Sequence, residues 1–448
     1  MSTPEPERSW VDRARLPARL GILMILLLAT LHPFVADPET GRVLERLGRV
    51  LHPSLDRRDV VDAARNIVLF AGWGVIWALS ARGRPRRVIL EATLSGMLIS
   101  VAVETAQLFS SNRNASLLDV TTNSVGAFIG ALVVVLAVLL ASQRRNAMSL
   151  VGMPMALLGG CYGTAAWLEA FVPLFRQSQV LGAVGGPFHR LAVTLGAIDW
   201  SSLTAISWSD LPLFLPAGVL MVAALTEHGM VHSRAAGRTA VGGGLLAVLA
   251  ELLHGALGQP ILIGAVLLHT VAVAAGARIA SRTLPRLTVA LRGAARPRAL
   301  YAAYMAVLTA WSWRPFLPEV RLDLILNKFS GPWYVPLAAL GERMDFFSVV
   351  DVCAPCLMYL PLGSLLAVWP WRKQGLLRGP MPGVWLALGL EMGQTLVLGR
   401  LPDITDMMIH SGGVLVGWAI MRRATYPVHG TVLPLPSVIP PAAAQKPG

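Results

Sequence analysis

Seven residues recur in the same order at two places 287 residues apart. The first set is Glu104, Gln107, Arg113, Asp119, Asn123, Gly126 and Gly130; the second is Glu391, Gln394, Arg400, Asp406, His410, Gly413 and Gly417, with steps of 3, 6, 6, 4, 3 and 4 residues in both. Three kinds of chemistry are open to such a set. A guanidinium grips phosphate or carboxylate through two parallel hydrogen bonds. A carboxylate beside an imidazole can move a proton. Acids, amides and a guanidinium within a membrane can also satisfy one another and simply staple two helices together. Unrelated apolar residues fill the gaps in each copy, which argues against coincidence.

The elements that must position these residues follow from their spacing. Residues three or four apart share a helix face, so Glu104 and Gln107 form a stripe near the end of one helix and Asp119 and Asn123 begin the stripe of the next. Gly126 and Gly130 continue that stripe as a small-x-x-x-small pattern, which lets two helix backbones approach closely. Arg113 and Arg400 fall in the connecting turns. The helices are of the kind that crosses a bilayer, because 54% of the chain is apolar and only 14% charged, with a mean hydropathy of +0.59. Apolar stretches long enough to span about 30 Å of hydrocarbon fall at 16–36, 60–80, 88–110, 119–141, 149–175, 209–228, 239–257, 261–279, 299–318, 349–369, 381–399 and 404–421. The expected fold class is therefore all-α, a polytopic transmembrane helix bundle of about twelve spans. Arginines precede Leu20–Thr30 as in a signal peptide, but cleavage after Ala36 would place Phe34 where a small residue is needed, so the first span reads as an uncleaved anchor.

Charge sets the expected orientation. The net charge is +13, and the lysines and arginines gather in alternate short loops, such as Arg82–Arg87, Arg144 with Arg145, and Arg278–Arg298, while most acids lie at the other side. Cationic loops stay cytoplasmic, which predicts a multi-pass protein of the cytoplasmic membrane with both termini inside and the polar hairpins facing out. The basic balance is thus a topology signal, and nucleic acid is not an expected partner. Three cysteines are too few for a disulfide framework, and Cys353-x-x-Cys356 within an apolar span reads as buried small hydrophobes.

The twelve spans divide into three groups of four on one plan: a span, a longer outer loop (37–59, 176–208, 319–348), a span, a short basic inner loop, and a hairpin. An even number of spans per group keeps each copy the same way up, so three parallel pseudo-repeats are expected. Their bounds are 1–147, 148–283 and 284–424, followed by a disordered cytoplasmic tail at 425–448. Trp200, Trp208, Trp333 and Tyr334 in the outer loops read as interfacial anchors.

E-x-x-Q, an Arg, an Asp with Asn or His four residues on, and two glycines together resemble the VanZ-like family. Asp351 followed by Pro361 and Gly363 is similar to that family's Asp…Pro-x-Gly helix, and Asp62, Asn66, Phe70 and Gly74 fall at corresponding positions. Asp403 also matches a family position, where the first copy has Ser116; the first copy also has Gly72 where the last has Pro361. The resemblance implies a four-helix membrane unit and a link to the cell envelope through glycopeptide (teicoplanin) resistance, and implies no established reaction.

The middle group keeps less of the pattern. Pro216-x-Gly218 is similar to Pro361-x-Gly363 and Glu251 with His254 to E-x-x-Q, but Pro260, Val266 and Thr270 stand where Arg, Asp and Asn are expected. This predicts a degenerate copy that keeps the fold and has lost the cluster. Glu251-x-x-His254 is half of a carboxylate-bridged metal site, but no second E-x-x-H accompanies it, so neither metal nor cofactor is expected.

Three functions remain open. The favoured one is non-enzymatic: binding or handling an anionic lipid-linked or glycolipid head group at the outer leaflet, with Arg113 and Arg400 on the anion and membrane lipid, a lipid-linked glycan or a peptidoglycan precursor as partner. A secondary transporter or flippase is the alternative, since repeats and intramembrane carboxylates suit carriers, although Glu227 and His228 are the only evident inner-side counterparts. An enzyme with Glu391 or Asp406 as base and His410 as proton carrier is the third, weakened by Asn123 in the other copy. The sequence names no energy source, pathway or oligomeric state.

Overall fold

The computed structural model describes residues 8–31, 34–51, 57–81, 83–112, 115–143, 154–176, 187–198, 201–204, 208–256, 259–290, 295–314, 316–330, 347–368 and 379–425. Arg113, the anchors Trp200, Trp333 and Tyr334, and the tail from 426 lie outside the described residues.

The chain is helical, and extended pairing among the described residues is limited to two isolated bridges, Ala36 with Ser110 and Pro318 with Val397. The first unit holds α1 (Arg8–Leu31), α2 (Thr40–Leu51), α3 (Arg57–Ser80), α4 (Pro85–Gln107) and α5 (Leu117–Gln143). The middle segment holds α6 (Met155–Arg176), α7 (Pro187–Gly196), α8 (Ser201–Thr204), α9 (Leu211–Glu227), α10 (His232–Ala256) and α11 (Ile263–Ala290). The last unit holds α12 (Ala295–Ser312), α13 (Leu322–Asn327), α14 (Phe347–Val368), α15 (Met381–Gly393) and α16 (Ile404–Thr425).

A helix lies under each of the twelve expected spans, and among the described residues seven are long and apolar enough to cross a membrane: those over Asp62–Ser80, Pro85–Gln107, Leu117–Ala141, His232–Ala256, Ile263–Ala290, Val350–Val368 and Ile404–Ala424. The protein is a multi-pass membrane protein. The span expected at 381–399 is shorter as a helix, because α15 gives way to a 3-10 turn at Gln394–Leu396. Leu90, Leu94 and Leu98 form an exposed apolar face on α4, as a helix bathed in lipid requires. Prolines stand within the first two positions of α4, α9 and α15, where a missing N–H leaves no intrahelical bond unmade.

Packing within each unit rests on glycine. Three pairs of helices lie closely along one another, α3–α5, α9–α11 and α14–α16. A Cβ on Gly130 would overlap the carbonyl oxygen of Ala71, one on Gly276 that of Leu215, and one on Gly417 that of Leu360. The contact is reciprocal, since Gly74, Gly218 and Gly363 meet the carbonyls of Ala127, Val273 and Val414. Close backbone approach supplies the dispersion contact that holds helices together where lipid removes the hydrophobic drive.

The last unit sits between the other two. Its α14 packs on α6 and its α16 on α5, and a shared core joins Tyr162, Leu213, Tyr304, Tyr359 and Trp418. At the end away from the hairpins, Arg423 donates to the carbonyls of Ala78, Leu79 and Ala81 at the close of α3. That arginine satisfies carbonyls that a helix C-terminus leaves open and ties the first unit to the last.

Candidate functional site

Each hairpin is built around a carboxylate that reaches across to the helix that follows. Glu104, 8% exposed, accepts the backbone N–H of Ser116 at 2.9 Å, just before α5. Glu391, wholly buried, accepts the N–H of Asp403 at 3.2 Å and the side-chain amide of Gln394 at 2.8 Å, just before α16. The first N–H groups of a helix lack partners inside it, so a carboxyl oxygen accepting from one of them steadies the helix start and ties the two helices together. Ser116 and Asp403 then cap their own helices, accepting from Leu118 N–H at 3.1 Å and Thr405 N–H at 2.6 Å. Asp119 lies near Glu104, and Asp403, Asp406 and Arg400 lie near Glu391. Gln107 departs from Gln394: its amide leaves the hairpin and donates to the Thr30 carbonyl of α1 at 3.1 Å.

One turn deeper the hairpins differ. Asn123 donates to Ser100 Oγ at 2.8 Å, leaving its Oδ1 without a partner. His410 stacks on Tyr359, with ring centroids 4.3 Å apart and planes at 18°, and meets the edge of Trp311 at 6.1 Å. Its Nδ1 stands 3.6 Å from Glu391 Oε2, beyond hydrogen-bond reach. Four buried polar atoms gather here without a hydrogen-bond partner: Trp311 Nε1, Ser312 Oγ, Tyr359 Oη and His410 Nδ1.

The outer loops strap both hairpins. Asp37 N–H donates to Phe109 and Ser111 N–H to Val35, at 2.8 and 2.9 Å; Glu319 N–H donates to Leu396 and Leu398 N–H to Leu317, at 2.9 and 2.7 Å. A cation plugs the helix end beneath each strap. Arg46 donates to the Leu108 carbonyl at 2.9 Å, and Lys328 to those of Thr395 and Val397 at 2.9 and 2.8 Å. Leu108 and Thr395 are 287 residues apart, the same interval as the motif. Arg46 also holds Asp37 at 2.5 Å, and that bond keeps the Asp37 carboxyl below its usual range. Sequence reasoning missed these cations because they come from outer loops of unlike length; only the amphipathic pattern of α2 hinted at them.

The remaining predicted residues are more scattered. Asp62 is exposed and faces Arg65 on its own helix at 3.9 Å. Asn66 on α3 and Asp351 on α14 are half-buried. Arg400 donates its Nε to the Arg314 carbonyl at 3.0 Å, which fixes the turn to the end of α12.

The middle segment keeps part of the cluster's geometry with different residues. Glu251 accepts Leu262 N–H at 2.8 Å, just before α11, and pairs with His254 Nδ1 at 3.1 Å. The buried polar residue on α11 is His269, not Thr270. It stacks on Phe214 at 3.9 Å and 26°, and its Nε2 lies 3.3 Å from Asp210. The interval from Glu251 to His269 is one residue shorter than that from Glu391 to His410, so a fixed step passes over it. Arg314 at the end of α12 reaches Glu169 at 3.5 Å and Asp210 at 4.0 Å, so the last unit's seam near the hairpins is with the middle segment. Asp210, Glu169 and Arg314 belong to no motif and were not foreseen.

Comparison with known proteins agrees with the two motif copies. The family described as VanZ/LLP1 matches residues 9–139 and again residues 300–425, together more than half of the chain. No curated protein and no solved structure matches. With its two strapped glutamate hairpins inside the matched regions, the chain belongs to the VanZ/LLP1 family, and carries it in two copies.

Proposed function

We propose that this VanZ-like envelope protein binds or handles an anionic lipid-linked or glycolipid head group at the outer leaflet of the cytoplasmic membrane. The observation that carries the reading is the engagement of the carboxylates. Glu104 and Glu391 are committed to main-chain N–H groups, which disfavours them as catalytic bases and leaves the arginine-bearing turn as the part of each hairpin suited to meet a ligand. A cationic turn over an internally satisfied acid selects an anion. The basic loops at the opposite end support an outward hairpin, and the amphipathic α2, with Leu44 and Leu47 exposed, is suited to lie along the membrane surface.

Three tandem units form the proposed scaffold. Gly218 and Gly276 of the middle segment occupy the crossing that Gly74 and Gly130 make in the first unit and Gly363 and Gly417 in the last, and Glu251 caps the next helix as Glu104 and Glu391 do. A role in glycopeptide resistance or envelope polysaccharide follows from the family rather than from these contacts. The test is a lipidomic comparison of a deletion strain with its parent, alongside mass spectrometry of lipid retained by purified wild-type and Arg400→Ala protein. An altered envelope lipid and its loss from the variant support the reading; unchanged lipids and an empty protein sink it.

One observation favours a second reading, a flippase or secondary transporter. The network Glu169–Arg314–Asp210–His269 joins two units, and charges buried within membrane proteins often mark a conduction path. Flux in proteoliposomes that survives Arg314→Met would count against it.

A further inference from the structure

The four unpartnered atoms of the last unit share one chemistry. Trp311 Nε1 is a donor, Ser312 Oγ and Tyr359 Oη both donate and accept, and His410 Nδ1 does one or the other by tautomer. All four side chains are more than nine-tenths buried, at 9%, 4%, 0% and 3% exposed. Tyr359 Oη lies beside Ser312 Oγ without the geometry of a bond. Buried polar groups are nearly always hydrogen-bonded and one left unmade is costly, so four on neighbouring side chains of one cluster are a feature that a merely structural hairpin would shed. The first unit shows the alternative: at the positions of Tyr359 and His410 it has Phe70 and Asn123, and Asn123 closes on Ser100. The middle segment has Phe214 and His269, closed on Asp210.

We propose that Trp311, Ser312, Tyr359 and His410 form a subsite for the hydroxyl groups of the head group, and that it exists in the last unit alone. This rests on the anionic head-group reading and deepens it: the ligand class is an anionic lipid whose head carries free hydroxyls, as a sugar or polyol does. The subsite offers both donors and acceptors, and a hydroxyl, which is both, satisfies either kind. Three of the four groups sit on aromatic rings packed together, and Arg400 in the adjoining turn takes the charge. A site built to bond a hydroxyl rejects the analogue lacking it, because its own groups are then left bare.

Two soluble probes with the same chains and the same singly charged phosphodiester test this. Dihexanoyl phosphatidylinositol carries a ring of hydroxyls; dihexanoyl phosphatidylmethanol carries none. Binding is measured on the full-length protein in nanodiscs by calorimetry. The wild type is expected to bind the inositol lipid about ten-fold or more tighter than the methyl ester, the value of one or two hydrogen bonds withheld from the analogue. Tyr359→Phe installs the residue found at the matching positions Phe70 and Phe214, so the fold tolerates it; it is expected to erase most of that preference and leave phosphatidylmethanol binding unchanged. Arg400→Ala is expected to weaken both probes together. Equal affinity for the two probes, or a preference that survives Tyr359→Phe and Ser312→Ala, overturns the subsite while the head-group reading stands. Absence of binding by either probe overturns both.

Discussion

The first and last hairpins share six identical residues and an Asn or His at a seventh position, all at equal steps, yet their interiors have opposite character. In the first, Gln107 leaves to brace α1 and Asn123 closes on Ser100. In the last, Gln394 stays on Glu391, and His410 and Tyr359 face one another among polar atoms that have no partner. The motif therefore specifies two separable things. Glutamate, capping residue and glycines specify the hairpin itself, and they behave alike in both copies. The residues one turn deeper decide whether that hairpin is only a staple or also a place for a ligand. The middle segment falls between: its histidine and aromatic ring are present, but Asp210 occupies the histidine.

Substitutions that strike the shared part should damage both copies alike, and the largest effect is expected at the glycine crossings. Gly130→Leu and Gly417→Leu each force a side chain into a facing backbone, and each should cost about 3 kcal/mol or more, seen as loss of folded protein in detergent; a mild effect in one copy would break the equivalence. The carboxylates come next and should separate the copies by degree. Glu391→Ala removes two hydrogen bonds and Glu104→Ala one, at about 1 kcal/mol each. Thermal unfolding should therefore show the last hairpin losing about twice as much as the first.

Removing the deeper polar groups should reverse that order. Asn123→Ala breaks a buried bond and should destabilise by about 1 kcal/mol, whereas Tyr359→Phe discards a hydroxyl that has no partner and should leave stability within about 0.5 kcal/mol of the wild type, or raise it. A large loss in Tyr359→Phe would mean that its hydroxyl holds the fold. The smallest effect concerns the first strap. The Asp37 carboxyl is held below its usual range by Arg46, so its contribution is present above the carboxyl's ordinary value and is lost as pH falls through the depressed one. Protection of the Asp37 and Ser111 amides against exchange, relative to the unstructured rate at each pH, should fall on acidification and should be low at all pH values in Asp37→Asn; the strap of the last unit, held by Lys328, should not share this acid response.

Much of this architecture was legible in the sequence, because it rests on periodicity. Apolar length located the helices, and spacing three or four apart put Glu104 with Gln107 and Gly126 with Gly130 on common faces. The glycines met the neighbouring backbone as the small-x-x-x-small pattern implies. What stayed hidden depended on contacts between elements of unlike length. His269 was passed over because one turn is a residue shorter. Arg46 and Lys328 approach from loops that do not align, and Arg314 acts across units. Tyr359 reads as one more apolar-span aromatic until its hydroxyl is found among the other unpartnered atoms.

The central contrast, a closed first hairpin and a ligand-accepting last one, is tested most directly by the rise in thermal unfolding temperature that dihexanoyl phosphatidylinositol confers on full-length protein. A ligand that binds only the folded form raises it in proportion to occupancy. The account predicts a rise in the wild type that persists in full in Asn123→Ala and shrinks in Tyr359→Phe to that given by a hydroxyl-free phosphodiester lipid. A rise that is undiminished in Tyr359→Phe and vanishes in Asn123→Ala would place the ligand in the first hairpin and contradict it.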